Sequence, residues 1–401
     1  MRNRRGVFAM RRTVAAVLSA AAVAGSALAT LDATGAQAAS TPAPVHVSES
    51  GAPYAQNPTN PLVGGTWAVN NGYWDGGSGY FTAWQRATGT TKTYLGRIAS
   101  RPTALWFTSN NANPAKRPTA VSSYISRVQN GDPNALVQMA LFGIFSVQGG
   151  ERNKTKALTA KQITAYRTWI RGVSRQIGGS RVALIMEPDQ ALLFNRPTKP
   201  KRQWTGGAWR RRTLVAWATK YLHDHNPRAA VYLDAGDADW LNPSQAAYLL
   251  TQTGVAYARG FALGATHYTS TSANIAHGAA IVAALAAKGV AGRHFVIDTA
   301  DNGHPFTMTQ FYAKHPKSKG GFFDNSWPCR SAQDTVCNAL GIRPTWKVAQ
   351  DGLGLTAADE AVAQQHVDGY LWFGRPWLIN QASPFNRAKA VNAAKYSPFQ
   401  Y

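Results

Sequence analysis

The chain has 401 residues, 45% of them hydrophobic, which is enough apolar material for a sizeable core and too much for a disordered tail. Its 42 Lys and Arg face 19 Asp and Glu, a formal net charge of +23 at pH 7 that speaks to solubility and polyanion contact rather than to fold. No nucleic-acid motif, C-x-x-C pair, H-E-x-x-H, P-loop or G-x-S-x-G elbow occurs, so nucleic-acid binding, zinc chemistry, phosphoryl transfer and serine hydrolysis find no support, and no cofactor or metal is expected.

At the N-terminus Arg2, Arg4, Arg5, Arg11 and Arg12 precede an apolar stretch from Val14 to Ala29, and Ala36-Gln37-Ala38 offers a small-residue cleavage site. Residues 1–38 therefore read as a signal peptide, and the mature protein as secreted. Its removal leaves 37 basic against 18 acidic residues. No later stretch is apolar for long enough to span a membrane. Residues 39–56, "ASTPAPVHVSESGAPYAQ", are Pro- and Ser-rich and read as a flexible leader; residues 57–401 read as one domain, expected to act as a monomer.

Short apolar runs rich in β-branched residues then recur: "TALWFT" (103–108), "ALVQMALFGI" (135–144), "RVALIME" (181–187), "AAVYLDA" (229–235), "GFALGA" (260–265), "HFVIDT" (294–299) and "GYLWFG" (369–374). Helix-like stretches separate most of them, at 159–178, 209–225, 242–254 and 271–289. Near-continuous apolar strands alternating with amphipathic helices predict a parallel sheet with helical crossovers. Seven such strands favour an α/β fold of the (β/α) barrel kind over an open doubly wound sheet, and no G-x-G-x-x-G follows the first strand. Cys329 and Cys337, eight residues apart in an exported chain, predict a local disulfide. His223 and His225 stand where a helix ends before Pro227, a place for charge rather than for a metal.

In a parallel barrel the strands' C-terminal ends share one rim, and loops leaving that rim build the active site. Glu187 and Asp189 leave the third run, Asp234 the fourth, and Asp298 the sixth, while His267 follows the fifth. Arg375, Trp377 and Asn380 follow the last. Asp234 and Asp298 also fit a capping role in the turns that follow. Pro188 between Glu187 and Asp189 fixes the backbone and keeps both acids off a helix. Trp106, Trp204, Trp209, Trp240, Trp327, Trp372 and Trp377 fall at or beyond strand ends, and aromatic faces beside acids suggest a glycan ligand, although large aromatics also dominate cores. The segment 195–213 holds Arg196, Lys199, Lys201, Arg202, Arg210, Arg211 and Arg212 with no acid; it reads either as a solvated loop or as a lure for an anionic glycan.

These residues resemble glycoside hydrolase family 6, the cellulases comprising endoglucanases and cellobiohydrolases. "LIMEPDQALL" resembles that family's EPD signature, "VYLDAGDADWL" its Asp-Ala-Gly…Trp-Leu segment, "RGFALGATHY" its Arg-Gly-Phe stretch and "FVIDTADNG" its Asp-Thr-Ser-Arg-Asn-Gly. "CNALGIRPT" and "GYLWFGRPW" resemble its later segments, in family order. The resemblance implies a distorted barrel of about seven parallel strands that hydrolyses β-1,4-glucan with inversion, with polysaccharide as its partner. It implies Asp189 as general acid, Glu187 as a residue that holds or tunes it, and Asp234 and Trp240 as sugar contacts. His267, Trp372, Arg375, Trp377 and Asn380 are the further candidate substrate contacts.

Two departures from the family pattern stand out. The run "MALFGIFSVQGGE" (139–151) lacks the Asp that assists the acid in family members, and "GRPWLINQASPF" (374–385) places Asn380 near the Asp proposed as their base. Asp301 stands where the family has Arg and is a candidate substitute base. The sequence thus leaves two readings: a glycosidase with Asp189 as acid and a divergent base, or an impaired barrel retained to bind glycan or cell wall.

Overall fold

All seven apolar runs become strands in the computed structural model: β1 (Leu105–Thr108), β2 (Val137–Phe142), β3 (Val182–Met186), β4 (Ala229–Asp234), β5 (Gly260–Leu263), β6 (His294–Asp298) and β7 (Val367–Leu371). The structure describes residues 46–48, 60–70, 79–109, 120–150, 156–194, 207–265, 267–381, 384–399 and 401. The expected signal peptide lies outside them, as does the leader apart from His46–Ser48, which pairs antiparallel with Thr66–Ala68 rather than staying unpatterned.

The seven strands pair in parallel and in chain order. Successive side chains on β3 divide between two cores, as the two-residue period of a strand requires. Val182, Leu184 and Met186 face the helical layer with Ile170, Val173, Leu214 and Val215, while Ala183 and Ile185 face inward with Ala140, Ala230, Tyr232, Val296 and Leu371. Burial on both faces explains why these strands read as unbroken apolar runs. The helices start where the sequence supplies caps: Thr159 with Gln162 opens Ala160–Ile177, Asn242 with Gln245 opens Pro243–Gln252, and Ser270 opens Thr271–Ala286.

The barrel is distorted at its seam. β1 and β7 form no ladder; they meet through the Ala104 N–H bonded to the Trp372 carbonyl at 2.8 Å and the Trp106 indole N–H bonded to the Phe373 carbonyl at 2.7 Å. At the opposite, N-terminal end of β7, Asp368 accepts from Arg259 at 2.7 and 2.8 Å and from the Tyr232 hydroxyl at 2.7 Å. That acid is saturated and structural, as expected at the non-catalytic face. Cys329 and Cys337 form the expected disulfide.

Candidate active site

The site is built where β3, β4, β6 and β7 end. Glu187 and Asp189 both adopt left-handed backbone angles, φ 54° and 68°, rare for residues with a side chain and costly by about 1–3 kcal/mol each. The turn sends the two acids to different places. Glu187 is fully buried, its Oε2 accepting from the Gly143 and Ile144 amides at 2.9 and 2.8 Å and its Oε1 from the Tyr166 hydroxyl at 2.8 Å. Gly143 is required there, because a Cβ would stand 2.1 Å from the Trp169 ring. Burial raises the Glu187 pKa to about 7, against the pull of Ile144, Tyr166 and Gly143. Glu187 is therefore a buttress that ties β3 to the loop after β2, in place of a group that meets substrate.

Asp189 is part-buried and opens the 3-10 turn Gln190–Leu193. It lies near Asp234, which is fully buried at the end of β4. Among the described residues neither Asp234 oxygen has a partner at hydrogen-bonding geometry. Burial first, then the charge of Asp189, pushes the Asp234 carboxyl well above the usual range, and the amides of Gly236 and Ala191 counter this only in part. Arg375 completes the group. Its guanidinium lies 3.6 Å from the centre of the Trp106 ring, and burial lowers its pKa to about 9 while Asp189 and Asp298 hold it up, so it stays cationic at neutral pH.

The other predicted residues divide sharply. Trp240 is half-buried and stacks on His267 at 4.5 Å between ring centres, 5° from parallel. His267 itself is 4% exposed, with Nδ1 2.9 Å from Asp239 Oδ1. Burial opposes its charge, but the Asp239 bond and the Asp237 charge outweigh burial and raise its pKa. His267 thus supports Trp240 from behind, correcting its expected role as a direct sugar contact. Asp237, Asp239 and His267 bring ligand-type atoms within 4.8 Å of one another, but Asp237 is taken up by the Thr269 hydroxyl and the Ala238 amide, and Asp239 by His267 and the Met308 amide.

Trp372 and Trp377 are also corrected: they are 0% and 3% exposed, packed with Tyr80, Leu95 and Ala390, and the Trp372 indole donates to the Ile342 carbonyl at 2.9 Å. Neither offers a ring face to a sugar. Of the other rim aromatics, Trp209 is 48% and Trp327 43% exposed, joined by Phe322 at 53%. The position of Trp204 lies outside the described residues, as do Arg196, Lys199, Lys201 and Arg202. Arg211 and Arg212 turn inward, 0% and 2% exposed, so the basic run is not wholly a solvated lure. Arg211 donates to the Lys156 carbonyl at 2.8 Å and, through Nε, to the carbonyl of Ile144 at 3.4 Å, the residue whose amide holds Glu187.

Asp298 and Asp301 lie deep at the end of β6, 1% and 0% exposed. Asp298 accepts from the amides of Ala300, Phe373 and Gly374, and burial still raises its pKa well above the usual range. Asp301 is raised by burial and by the charges of Asp298 and Asp237, with Lys389 opposing. A carboxyl sealed from solvent is poorly placed to activate an attacking water, which counts against Asp301 as the substitute base. Asn380 lies in the 3-10 turn Ile379–Gln381, its side chain outside the described set. The sequence reading missed Gln381 beside it. That residue has φ 53° and joins the Tyr268 hydroxyl at 3.2 Å, Asp301 at 3.4 Å and the Arg375 amide at 3.3 Å. Nothing in its residue type signals such a conformation.

A parallel (β/α) barrel with clustered carboxyls and part-open aromatics at its C-terminal mouth falls in the class where paired-carboxylate glycoside hydrolases are built. The chain belongs to the glycosyl hydrolases family 6, whose model matches residues 66–377. It is 32% identical over 227 residues to Endoglucanase A of Cellulomonas fimi, covering 56% of this chain and 45% of that one, and 27% identical over 209 residues to Endoglucanase 1 of Streptomyces halstedii, covering 52% and 60%. The matched segments thus span about half the length of these relatives. Among solved structures, the endoglucanase Cel6 from Mycobacterium tuberculosis, in complex with methyl-cellobiosyl-4-deoxy-4-thio-β-D-cellobioside, superimposes with a TM-score of 0.60 at 27% identity, covering 84% of this chain and 99% of that one. The Humicola insolens cellobiohydrolase Cel6A shares the fold at 19% identity and a TM-score of 0.57, covering 88% and 94%.

Proposed function

We propose that this chain is an exported glycosidase that cleaves β-1,4-glucan with inversion, Asp189 being the general acid. One observation carries the assignment: of Glu187, Asp189, Asp234, Asp298 and Asp301, Asp189 alone is only part-buried, and it stands beside a second carboxyl. Two neighbouring carboxyls titrate as a pair, and the first proton lost leaves a charge that retains the second. Burial favours that retained proton on Asp234, so acid catalysis requires it to be shared with the outer member, Asp189, from which it passes to the glycosidic oxygen as the bond to the leaving sugar breaks. Arg375, cationic beside Asp189, balances the negative charge left behind. Trp240, braced by His267, offers a part-open ring packed against Gly236, two residues beyond Asp234.

An inverting reaction also needs a carboxylate about 6.5–9.5 Å from the acid to activate water. Asp298 is spent on amides and Asp301 is sealed, which favours a second reading: a barrel that grips glucan and cleaves it slowly or not at all. Loss of a general base costs roughly 10²–10⁴-fold in rate. Reducing-end release from soluble neutral β-1,4-glucan, run beside Asp189→Asn and beside glucan retention, separates the two. Product that vanishes in the variant supports hydrolysis, while retention without product in either protein supports the binder.

A further inference from the structure

Helices Ala160–Ile177 and Gly207–His225 lie side by side on the outer wall of the barrel. Arg167, Arg171 and Arg175 follow one another at four-residue intervals on the first and are all exposed, so they share one face with a rise of about 6 Å per step. That helix contains no acid, and among the described residues no carboxylate pairs with any of the three. Like charges four residues apart oppose helix formation, so the row calls for a reason. Trp217 on the second helix supplies part of one. The guanidinium carbons of Arg167 and Arg171 lie 5.3 and 5.4 Å from its ring centre. Trp217, Tyr221 and His225 then stack in turn along the helix, 5.3 and 4.0 Å between centres. This packing accounts for two arginines and leaves Arg175 unexplained.

We infer that this flank binds an acidic polysaccharide, whose carboxylates engage the guanidinium edges of Arg167, Arg171 and Arg175. A guanidinium lying over a ring keeps its N–H fork available, and that fork matches a carboxylate in bidentate geometry. The flank's described acid, Asp224, is already tied to Lys220 at 2.6 Å and does not repel such a ligand. The rings of the ladder are stacked on one another, so nucleic-acid bases find no open platform of the kind single strands use. The inference goes beyond the hydrolytic reading and does not depend on it, because neither helix face contributes to the acid cluster at the strand ends.

The test is affinity electrophoresis of the full-length protein through polygalacturonate, with hydroxyethylcellulose as the uncharged control. Replacing Arg167, Arg171 and Arg175 with Gln together is expected to weaken polygalacturonate binding about tenfold at low salt and to flatten its salt dependence. Replacing Lys288, Lys314 and Lys319 with Gln removes the same charge elsewhere and is expected to change binding less than about twofold. Arg175→Gln alone, about a two- to fivefold loss, carries the test should the triple variant misfold. Equal weakening by both triple variants would reduce the effect to net charge and overturn the inference. So would absence of polygalacturonate binding, or duplex DNA bound as tightly with the same response to the arginine variants.

Discussion

Glu187 and Asp189, two residues apart on one left-handed turn, face opposite fates: the first is locked onto three donors in the interior, the second reaches the surface beside Asp234. Pro188 between them leaves little freedom to exchange the roles. The same turn thus supplies both the anchor and the candidate acid.

The anchor has a pH signature. Glu187 has a folded pKa of about 7 against 4.5 for the free group, so between these values the folded state holds a proton that the unfolded chain has lost. Stability attributable to this group is therefore fully present below pH 4.5 and falls as pH rises through 7, by up to about 3 kcal/mol. Glu187→Gln cannot titrate, yet preserves the arrangement of the protonated acid. Urea unfolding at pH 5 and pH 8 is expected to show the wild type losing stability relative to the variant; parallel behaviour would place the shift elsewhere.

Gly374 sits against both inner acids: a Cβ there would stand 2.6 Å from Asp298 Oδ2 and 3.3 Å from Asp301 Oδ2. Gly374→Ala is expected to lower stability by about 1–3 kcal/mol, the range for overpacking. An unchanged melting temperature would mean that the acids can move aside.

The tryptophans separate packing from binding. Trp372→Ala is expected to cost about 3–5 kcal/mol of stability, because the ring is wholly buried. Trp240→Ala is expected to leave most of the stability and raise KM for soluble glucan, since its ring is part-open. Denaturation midpoints and initial rates on the two purified variants check both, and a reversed pattern would relocate the glucan path.

Reducing the Cys329–Cys337 bond opens a loop of eight intervening steps. Loop-closure entropy for so short a ring predicts a loss of about 2–3 kcal/mol. Thermal unfolding with and without reductant measures it, and no shift in midpoint would show that the fold around Asn338 holds the loop unaided.

The strands were legible because burial on both faces leaves an unbroken apolar signature, and the acids because strand ends in a barrel share one rim. Their surroundings were not. Residue type alone does not tell whether a strand-end tryptophan turns to the mouth, as Trp106 and Trp240 do, or into the helical layer, as Trp372 and Trp377 do. Gln381 was missed because left-handed backbone is signalled by Gly or Asn rather than Gln. Arg211 could have been found: with Leu214, Val215, Ala218 and Leu222 it falls on the apolar stripe of its helix, which predicts an inward guanidinium.

The most direct test of Asp189 uses two substrates that differ in their need for acid. Asp189→Ala should lose about 10²–10⁴-fold in kcat/KM on a cello-oligosaccharide, whose leaving sugar must be protonated, and should keep most of its rate on a 2,4-dinitrophenyl cellobioside, whose leaving group departs without a proton. An equal loss on both substrates, or none on either, would contradict the assignment of the general acid.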